Sequence, residues 1–180
     1  MNGAIRWGCL GAIAYSAWTT GCLVADFDVD RDIAEQRVPG SLVSGLLDDL
    51  LAAPIAMDVD VASETEARGT GPATAARLSL LELSITDTAM TGSDDDDFAF
   101  LDEVSVFVES TREGSSLPRL LVAEARGESG LRSLRFTTID GVDLLSHVEE
   151  GARFVSEAVG RVPPDDVTFD GTYRVRIEIR

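Results

Sequence analysis

The stretch Thr172-Tyr-Arg-Val-Arg-Ile-Glu-Ile179, close to the end of the chain, decides the fold class. Apolar and charged residues alternate strictly from Tyr173 to Arg180, the residue that follows this stretch. One set is Tyr173, Val175, Ile177 and Ile179, and the other is Arg174, Arg176, Glu178 and Arg180. Successive side chains of a β-strand point to opposite faces, so this period of two predicts a strand with one buried face and one solvated face. Such strands are typical of antiparallel sheets.

The same period of two recurs in earlier parts of the chain. It predicts strands at residues 26–32, 55–61, 76–86, 104–108, 120–125, 131–139 and 152–159. In the third of these, the alternation changes parity at Leu80-Leu81, which predicts a β-bulge. Gly127-Glu-Ser-Gly130 predicts a hairpin-like connection between the fifth and the sixth. Short strands without regularly alternating helices predict an all-β fold, specifically an antiparallel β-sandwich.

One segment in the first third of the chain has a helical period instead. After the start signal Pro39-Gly40-Ser41, leucine and valine repeat at the spacing of one helical face until Pro54, at Leu42, Val43, Leu46, Leu47, Leu50 and Leu51. This predicts a short amphipathic helix that caps one end of the core. The alternative is a membrane-surface or partner helix, and a membrane-surface helix is disfavoured because no cation flanks the segment. Residues 63–74 are predicted to form a surface loop, and residues 141–151 a short helix or turn.

The first residues have the layout of an export signal. One cation, Arg6, precedes an apolar run from Trp7 to Trp18, and the small polar residues Thr19-Thr20-Gly21 follow. A membrane-spanning helix needs about 20 mostly apolar residues, whereas this run is shorter and is interrupted by glycine, tyrosine and serine. We therefore expect residues 1–21 to be a signal peptide and residues 22–180 to form a single β-sandwich domain.

Cys22 follows this signal directly. The turn from the apolar run to Thr20-Gly21-Cys22 resembles the lipobox of bacterial lipoproteins, although Thr19 stands where that motif usually has leucine or valine. The resemblance implies that the Cys22 thiol carries a diacylglycerol and becomes the first residue of the mature protein. Leu23 in place of aspartate after the cysteine implies sorting to the outer membrane. Cys9 lies within the signal, so the mature chain has no second thiol for an internal disulfide.

A wider resemblance covers most of the mature chain. It is carried by Val38-Pro-Gly-Ser41, the leucine-rich segment, Asp87-Thr88, Phe98-Ala-Phe-Leu-Asp-Glu-Val104, Pro163-Pro-Asp-Asp-Val-Thr-Phe-Asp-Gly171 and the terminal strand. These stretches look like a group of uncharacterised lipoproteins from Gram-negative bacteria. Since no activity is attached to that group, the resemblance implies an architecture and a location in the cell envelope only.

The charge of the mature chain limits its partners. Residues 22–180 keep all 32 acidic residues and 14 of the 15 basic ones, so their formal charge is −18. Such a surface repels phosphate backbones and anionic lipid headgroups. A nucleic-acid partner and electrostatic docking to a membrane are therefore both disfavoured.

The sequence offers no catalytic motif. Its one histidine, His147, lies beside Glu149 and Glu150 and is expected to be a surface residue on a short turn. No Gly-x-Ser-x-Gly elbow accompanies it, and no cluster of cysteine and histidine has the spacing of a zinc site. We therefore predict no enzyme activity. The alternative is a periplasmic or surface enzyme that acts on glycans through two carboxylates, which would lie about 5–9 Å apart in a pocket.

The acidic run Asp94-Asp-Asp-Asp97 is the one candidate for a metal. Four adjacent carboxylates supply the hard oxygen ligands that Ca²⁺ prefers, and Asp165 and Asp166 of another loop are possible additional ligands. The competing interpretation is a solvated acidic tip without a bound ion. Asp94, Asp95, Asp96 and Asp97 are thus a candidate weak Ca²⁺ site, and no other cofactor is predicted.

These observations together predict a lipid-anchored cell-envelope protein that acts as a structural or binding module. Its expected partners are the membrane, through the lipid on Cys22, and an envelope protein or a glycan.

Overall fold

A computed structural model describes residues 26–41, 45–47, 50–51, 54–86 and 96–179. These residues form two antiparallel sheets that pack face to face around one hydrophobic core. The predicted fold class, an all-β antiparallel sandwich, is confirmed. The predicted signal peptide, residues 1–21, lies outside the described residues.

In chain order, the strands and helices of the described residues are β1 (Phe27–Val38), β2 (Ile55–Met57), α1 (Val61–Ala67), β3 (Ala73–Thr86), β4 (Leu101–Ser110), β5 (Leu120–Ala125), β6 (Ser133–Arg135), β7 (Thr137–Thr138), α2 (Leu145–Glu150), β8 (Ala152–Gly160) and β9 (Val167–Ile179). Sheet 1 has the strand order β1-β9-β3-β6, and sheet 2 has the order β2-β8-β4-β5-β7.

Strand β9, which contains the terminal stretch, lies in the middle of sheet 1 between β1 and β3. Its apolar set faces the core, and Val175 and Ile177 are fully buried. Arg174, Arg176 and Glu178 of its charged set face solvent, and Arg174 pairs there with Asp30 of β1. Central placement therefore accounts for the strict alternation, because every second side chain enters the core.

The bulge predicted in β3 is confirmed within one residue. The pairing of β3 with β9 shifts register between Leu78 and Leu80. Leu78 is buried before the shift, and Leu81 and Leu83 are buried after it. The extra residue thus returns the second half of the strand to the core face.

The hairpin predicted around Gly127–Gly130 is confirmed only in part, because β5 pairs with β7, in the second half of the predicted strand 131–139, and not with β6. Strand β5 belongs to sheet 2, whereas β6, the next strand in the chain, pairs with β3 in sheet 1. The connection therefore crosses from one sheet to the other. The predicted strand 131–139 is divided accordingly into β6 and β7, which lie in different sheets.

The helix predicted at residues 42–51 is wrong at the positions that the structure describes there, 45–47 and 50–51. Leu46 forms a β-bridge with Arg161, and the Leu47 amide donates to the carbonyl oxygen of Gly160. The amides of Leu50 and Leu51 both donate to the hydroxyl of Ser156. These residues lie along β8, where their backbone groups find partners in the strand rather than in a helix.

The helix α1 lies instead where the sequence predicted the end of a strand and a loop. Asp60 caps its start by accepting hydrogen bonds from both the amide and the hydroxyl of Ser63. The alternation of apolar and polar residues continues through Val59 and Val61, but the cap at Asp60 starts a helix there instead. Of the predicted strand 55–61, only β2 is therefore formed. Of the two alternatives predicted for residues 141–151, a short helix or a turn, the structure has the helix, α2, within that range.

The sandwich has two distinct ends. The α1 end contains the start of β1, both helices and the start of β8, and Arg68 lies over the ring of Phe27 there, 4.2 Å from its centre. The acidic-loop end is the opposite one, where Val38 pairs with Val167 and Leu101 pairs with Gly160. With about 3.3 Å per residue, β1 separates the two ends by roughly 36 Å.

Candidate functional site

Cys22, the predicted lipidation site, lies outside the described residues. The first strand begins at Phe27, five positions later, and pairs at once with Ile177 of the central strand. The folded domain therefore starts within a few residues of the predicted anchor.

The acidic run is described in part. Asp94 and Asp95 lie outside the described residues, whereas Asp96 and Asp97 are within them. The Asp97 carboxylate accepts a hydrogen bond from the Ala99 amide at 2.9 Å and a second from the Gly130 amide at 2.7 Å. This carboxylate thus ties the acidic loop to the connection between β5 and β6.

A cleft of about 470 Å³ opens beside this loop at the acidic-loop end. Asp96 and Asp97 line it together with Asp165, Arg161 and Phe100. The structure thus brings Asp165 to the acidic run, as expected from the sequence. Among the described residues, no group of three or more histidine, cysteine, aspartate or glutamate side chains is placed to hold a metal ion. The Ca²⁺ site therefore stays a prediction.

Asp166, the other acid expected beside the run, binds residues 37–40 of the same chain. Its carboxylate accepts a hydrogen bond from the Gly40 amide at 2.8 Å and pairs with Arg37. The Gly40 amide, followed by the Arg37 guanidinium, lowers the pKa of Asp166 below its ordinary value. Both partners stabilise the ionised carboxylate, so this residue fixes the 163–166 loop against residues 37–41.

A second cleft, of about 590 Å³, lies at the α1 end and was not predicted from the sequence. Its lining combines apolar side chains with acidic residues, and comprises Met57, Asp58, Val59, Asp60, Val61, Ala62, Thr65, Pro72, Ala73, Val148, Glu149, Glu150 and Gly151. Two separate segments, 57–73 and 148–151, meet here because β2 pairs with the start of β8 and because the Leu144 amide, just before α2, donates to the carbonyl oxygen of Ala76 near the start of β3. Sequence periodicity carries no signal for such a meeting of distant loops.

Two carboxyls of this cleft have pKa values below the ordinary ones. The Ser63 amide and hydroxyl lower the pKa of Asp60, and the Ser115 hydroxyl, aided by Ser110 and Arg112, lowers the pKa of Glu150. A general acid for glycoside hydrolysis needs a raised pKa instead. These two carboxylates thus stabilise the cap of α1 and the 110–115 loop.

An ion-pair network joins α1 to β1 beside the same cleft. Glu64 of α1 accepts a hydrogen bond from Arg31 of β1 at 2.8 Å and also pairs with Arg68. Arg31, followed by Arg68, lowers the pKa of Glu64. Arg31 also donates to the carbonyl oxygen of Asp58 at 2.7 Å. The arrangement positions α1 on the edge of the sandwich.

Beneath this network, a buried tyrosine joins the two sheets. The hydroxyl of Tyr173 accepts a hydrogen bond from the Asp58 amide at 3.0 Å, and its ring meets Phe154 edge-on with centres 5.1 Å apart. Burial raises the pKa of Tyr173 above its ordinary value. This contact fixes the start of the α1 segment to the central strand.

His147, expected on the surface, is buried with only 3% of its area exposed. Its Nε2 lies 2.9 Å from the carbonyl oxygen of Pro118, and its Nδ1 is buried without a hydrogen-bond partner. Helix α2 turns His147 and Val148 inward and leaves Glu149 in solvent. The glutamates that follow His147 in the sequence suggested that the histidine is exposed. This was wrong, because Glu149 lies on the opposite face of α2.

Among the residues that the structure describes, no helix is both long enough and apolar enough to cross a membrane. No model of a known protein family matches the sequence, and no curated protein matches it.

Proposed function

We propose that this protein is a bacterial lipoprotein whose β-sandwich acts as a structural or binding module of the cell envelope. The observation that carries the proposal is the signal-like segment ending in Thr20-Gly21-Cys22, directly followed by a folded domain that begins at Phe27. In a Gram-negative cell, Leu23 after the cysteine favours the outer membrane. The lipid on Cys22 provides the attachment.

The energetics of such an anchor are favourable. Each buried methylene group of an acyl chain contributes about 0.8 kcal/mol, and stable attachment requires more than one chain. A diacylglycerol meets that requirement. The domain itself carries a formal charge of −18 after signal removal, with 14 basic and 32 acidic residues, and this charge opposes adsorption to anionic lipid. The lipid is therefore the main source of membrane affinity.

The anchor also fixes which end of the sandwich lies near the membrane. Five residues lead from Cys22 to Phe27, and a fully extended segment of that length spans at most roughly 18 Å. The α1 end is then held close to the bilayer. The acidic loop, at the far end of β1, is closer to partners in the surrounding envelope.

The role of a module, rather than of an enzyme, is supported by the carboxylates of the clefts. Asp60, Glu150, Asp97 and Asp166 each accept hydrogen bonds from backbone amides or neighbouring side chains of the same chain. Where their pKa values are shifted, they are shifted downward. Carboxylates held in this way stabilise loops and are poorly suited to donate a proton to a leaving group.

The test is metabolic labelling with a fatty acid, followed by mass analysis of the N-terminal peptide. We expect the intact chain to carry covalent lipid and to fractionate with membranes. Cys22→Ser should abolish the lipid label, whereas the matched control Cys9→Ser should retain it, because Cys9 lies within the signal. A lipid-free native protein, or a label that survives Cys22→Ser, would refute the proposal.

A further inference from the structure

The edges of the two sheets differ in length. Sheet 1 ends at β1 on one side and at β6 on the other, and sheet 2 ends at β2 and β7. Strands β2, β6 and β7 have only two or three residues each, whereas β1 has 12. The unpaired edge of a strand presents backbone N–H and C=O groups with which another extended chain can pair. Among the described strands, β1 is therefore the one long edge at which a strand of a second molecule could add to the fold.

Every second residue of β1 directs its backbone groups to this edge. Asp30 lies opposite Arg174 of β9, whose carbonyl oxygen accepts a hydrogen bond from the Ser79 hydroxyl of β3 at 3.3 Å. The Arg174 backbone groups thus point away from β1, and Asp30 and Arg174 form a pair without backbone hydrogen bonds between them. The N–H and C=O groups of Asp30 consequently point to the free edge, and so do those of Asp28 and Asp32.

Side chains of β1 already occupy several carbonyl oxygens of the strand. The Arg31 guanidinium donates to the carbonyl oxygen of Asp30 at 2.9 Å. The Gln36 side-chain amide donates to the carbonyl oxygens of Ala34 at 3.1 Å and Glu35 at 3.2 Å. Ala34 and Glu35 lie where the pairing of β1 with β9 shifts register. A strand that added here would have to displace these side chains, and it would meet a bulge in place of a regular ladder.

Arg31 also places a charge on the inner side of the edge strand. It shares that side with Val29 and Ile33, which are buried in the core. Its guanidinium donates to the carbonyl oxygen of Asp58 at 2.7 Å and pairs with Glu64 at 2.8 Å, so that it holds the segment around the start of α1 beside β1. An inward-pointing charge on an edge strand opposes the addition of a further strand, because that strand would bury the charge.

The outer side of the edge strand carries a row of like charges. Asp28, Asp30 and Asp32 are exposed and alternate with core residues. If two β1 edges met in an antiparallel arrangement, residues that point to the edge would face each other, and aspartates of one copy would lie opposite aspartates of the other. Like charges directly opposite each other destabilise a strand pair. The two arginines of β1 do not balance its four acidic residues, so the whole strand repels a second copy.

We infer that β1 is a protected edge, which keeps the folded protein from adding a strand of a second molecule to sheet 1. Three features act together: Arg31 and Gln36 occupy carbonyl oxygens, the bulge interrupts the ladder, and the aspartates repel another copy. Natural β proteins prevent edge-to-edge association with features of this kind. The inference does not depend on the proposed lipid anchor, although confinement to a membrane would raise the local concentration at which copies meet.

Hydrogen exchange of the full-length protein tests whether the edge is free. The amides of Asp28, Asp30 and Asp32 point away from β9, so they should exchange rapidly. Those of Val29 and Ile33, which point to β9, should be protected at least about 100-fold more strongly after correction for intrinsic rates. Residue-resolved NMR of the protein in detergent measures both sets. Equal protection of the two sets would show that the edge is covered, and the inference would then be overturned.

Removal of the protecting side chains should permit association. The triple variant Asp28→Thr, Asp32→Thr and Gln36→Val keeps the ion pair between Asp30 and Arg174 and introduces residues that favour strands. In sedimentation velocity with reductant present, we expect the parent to be monomeric and the mass of the triple variant at least to double. The amides at positions 28, 30 and 32 should become protected in the associated form, because they pair with the second copy.

The matched control removes two aspartates from strands that have neighbours on both sides. Asp102→Thr in β4 with Asp170→Thr in β9 lowers the net negative charge as much as the triple variant does, and both positions are exposed. The control should stay monomeric. Association of the control to the same extent would overturn the inference, because lower net charge alone would then account for the effect.

A triple variant that folds, as circular dichroism checks, and remains monomeric would also overturn the inference. If the triple variant did not fold, Asp28→Thr with Asp32→Thr would replace it, since this pair changes exposed side chains only. The double variant should associate to a smaller extent than a folded triple variant. A double variant that is as monomeric as the parent would decide against a protected edge.

Discussion

Removing the side chain of Ile177 tests the packing of the central strand. Ile177 lies in the middle of sheet 1, is fully buried and is paired on both sides, with Phe27 of β1 and Ala76 of β3. Ile177→Ala removes three methyl or methylene groups, at about 0.8 kcal/mol each. The lost burial alone is therefore about 2.4 kcal/mol. The cavity that remains adds to this cost, so we expect a destabilisation of about 3–4 kcal/mol.

The neighbouring residue provides the matched comparison. Arg176 points to solvent, where its guanidinium lies 3.7 Å from the Asp26 carboxylate and its side chain is 53% exposed. Exposed ion pairs contribute about 0.2–1 kcal/mol, so Arg176→Ala should cost less than about 1 kcal/mol. Ile177→Val, which removes one methyl group, should cost about 0.5–1.5 kcal/mol, well below the cost of Ile177→Ala.

Urea unfolding followed by circular dichroism measures these differences. With a slope of about 2 kcal/mol per molar urea, Ile177→Ala should lower the midpoint by about 1.5–2 M, and Arg176→Ala should lower it by less than about 0.5 M. Equal midpoints for Ile177→Ala and Arg176→Ala would refute the assignment of core and solvent faces along β9. A larger loss for Arg176→Ala would do the same.

Three further predictions concern single contacts. Tyr173→Phe should destabilise the protein by about 0.5–1.5 kcal/mol in urea unfolding, because it removes the hydroxyl that accepts a hydrogen bond from the partly buried Asp58 amide. An unchanged midpoint would contradict this role. Glu64→Gln should destabilise the protein at neutral pH, but the difference from the native protein should disappear at acid pH. Arg31 and Arg68 lower the pKa of Glu64 in the folded state, so the ionised Glu64 contributes its full share to the free energy of unfolding above the ordinary pKa of 4.5. This stabilisation is lost as the pH falls through the lowered pKa. A difference between the variant and the native protein that persists at about pH 2 would contradict this assignment. Millimolar Ca²⁺ should raise the melting midpoint more than NaCl of equal ionic strength if the acidic run binds the ion, and Asp95→Asn with Asp96→Asn should remove that response; a response no larger than that to NaCl would identify the run as a solvated tip.

The strands could be predicted from the sequence because each has one face in the core. In β9 and β4, the alternation of apolar and polar residues corresponds directly to the core and solvent faces of the strand. In β3, the change in that alternation predicts the position of the β-bulge to within one residue. The leucine-rich segment at 42–51 gives a false helix signal because apolar side chains with helical spacing are also buried when a chain runs along a sheet edge. There Ser156 of β8, a residue more than 100 positions away, provides the hydrogen-bond acceptor.

The candidate sites were less predictable than the strands. The sequence associates Asp165 with the acidic run, and the structure places it beside Asp96 and Asp97 in one cleft. The cleft at the α1 end has no sequence signal, because its two walls come from distant segments that only the tertiary contacts of the sandwich bring together. Phe107, on the outer face of sheet 2, could be predicted from the sequence only as an apolar residue on the outward side of a strand. That Val155 and Leu121 lie beside it follows from the register of the sheet, which the sequence does not give.

The pairing of the first strand with the last has a consequence for how the chain is made. Asp30 of β1 and Arg174 of β9 are 144 residues apart in sequence, and β9 also provides the only long partner of β3 among the described strands. Sheet 1 therefore cannot assemble before β9 has been synthesised. Contacts of such long range make folding slow. Until β9 is available, β1 and β3 lack the strand that joins them, and a chain cut before Val167 would lose the whole centre of sheet 1.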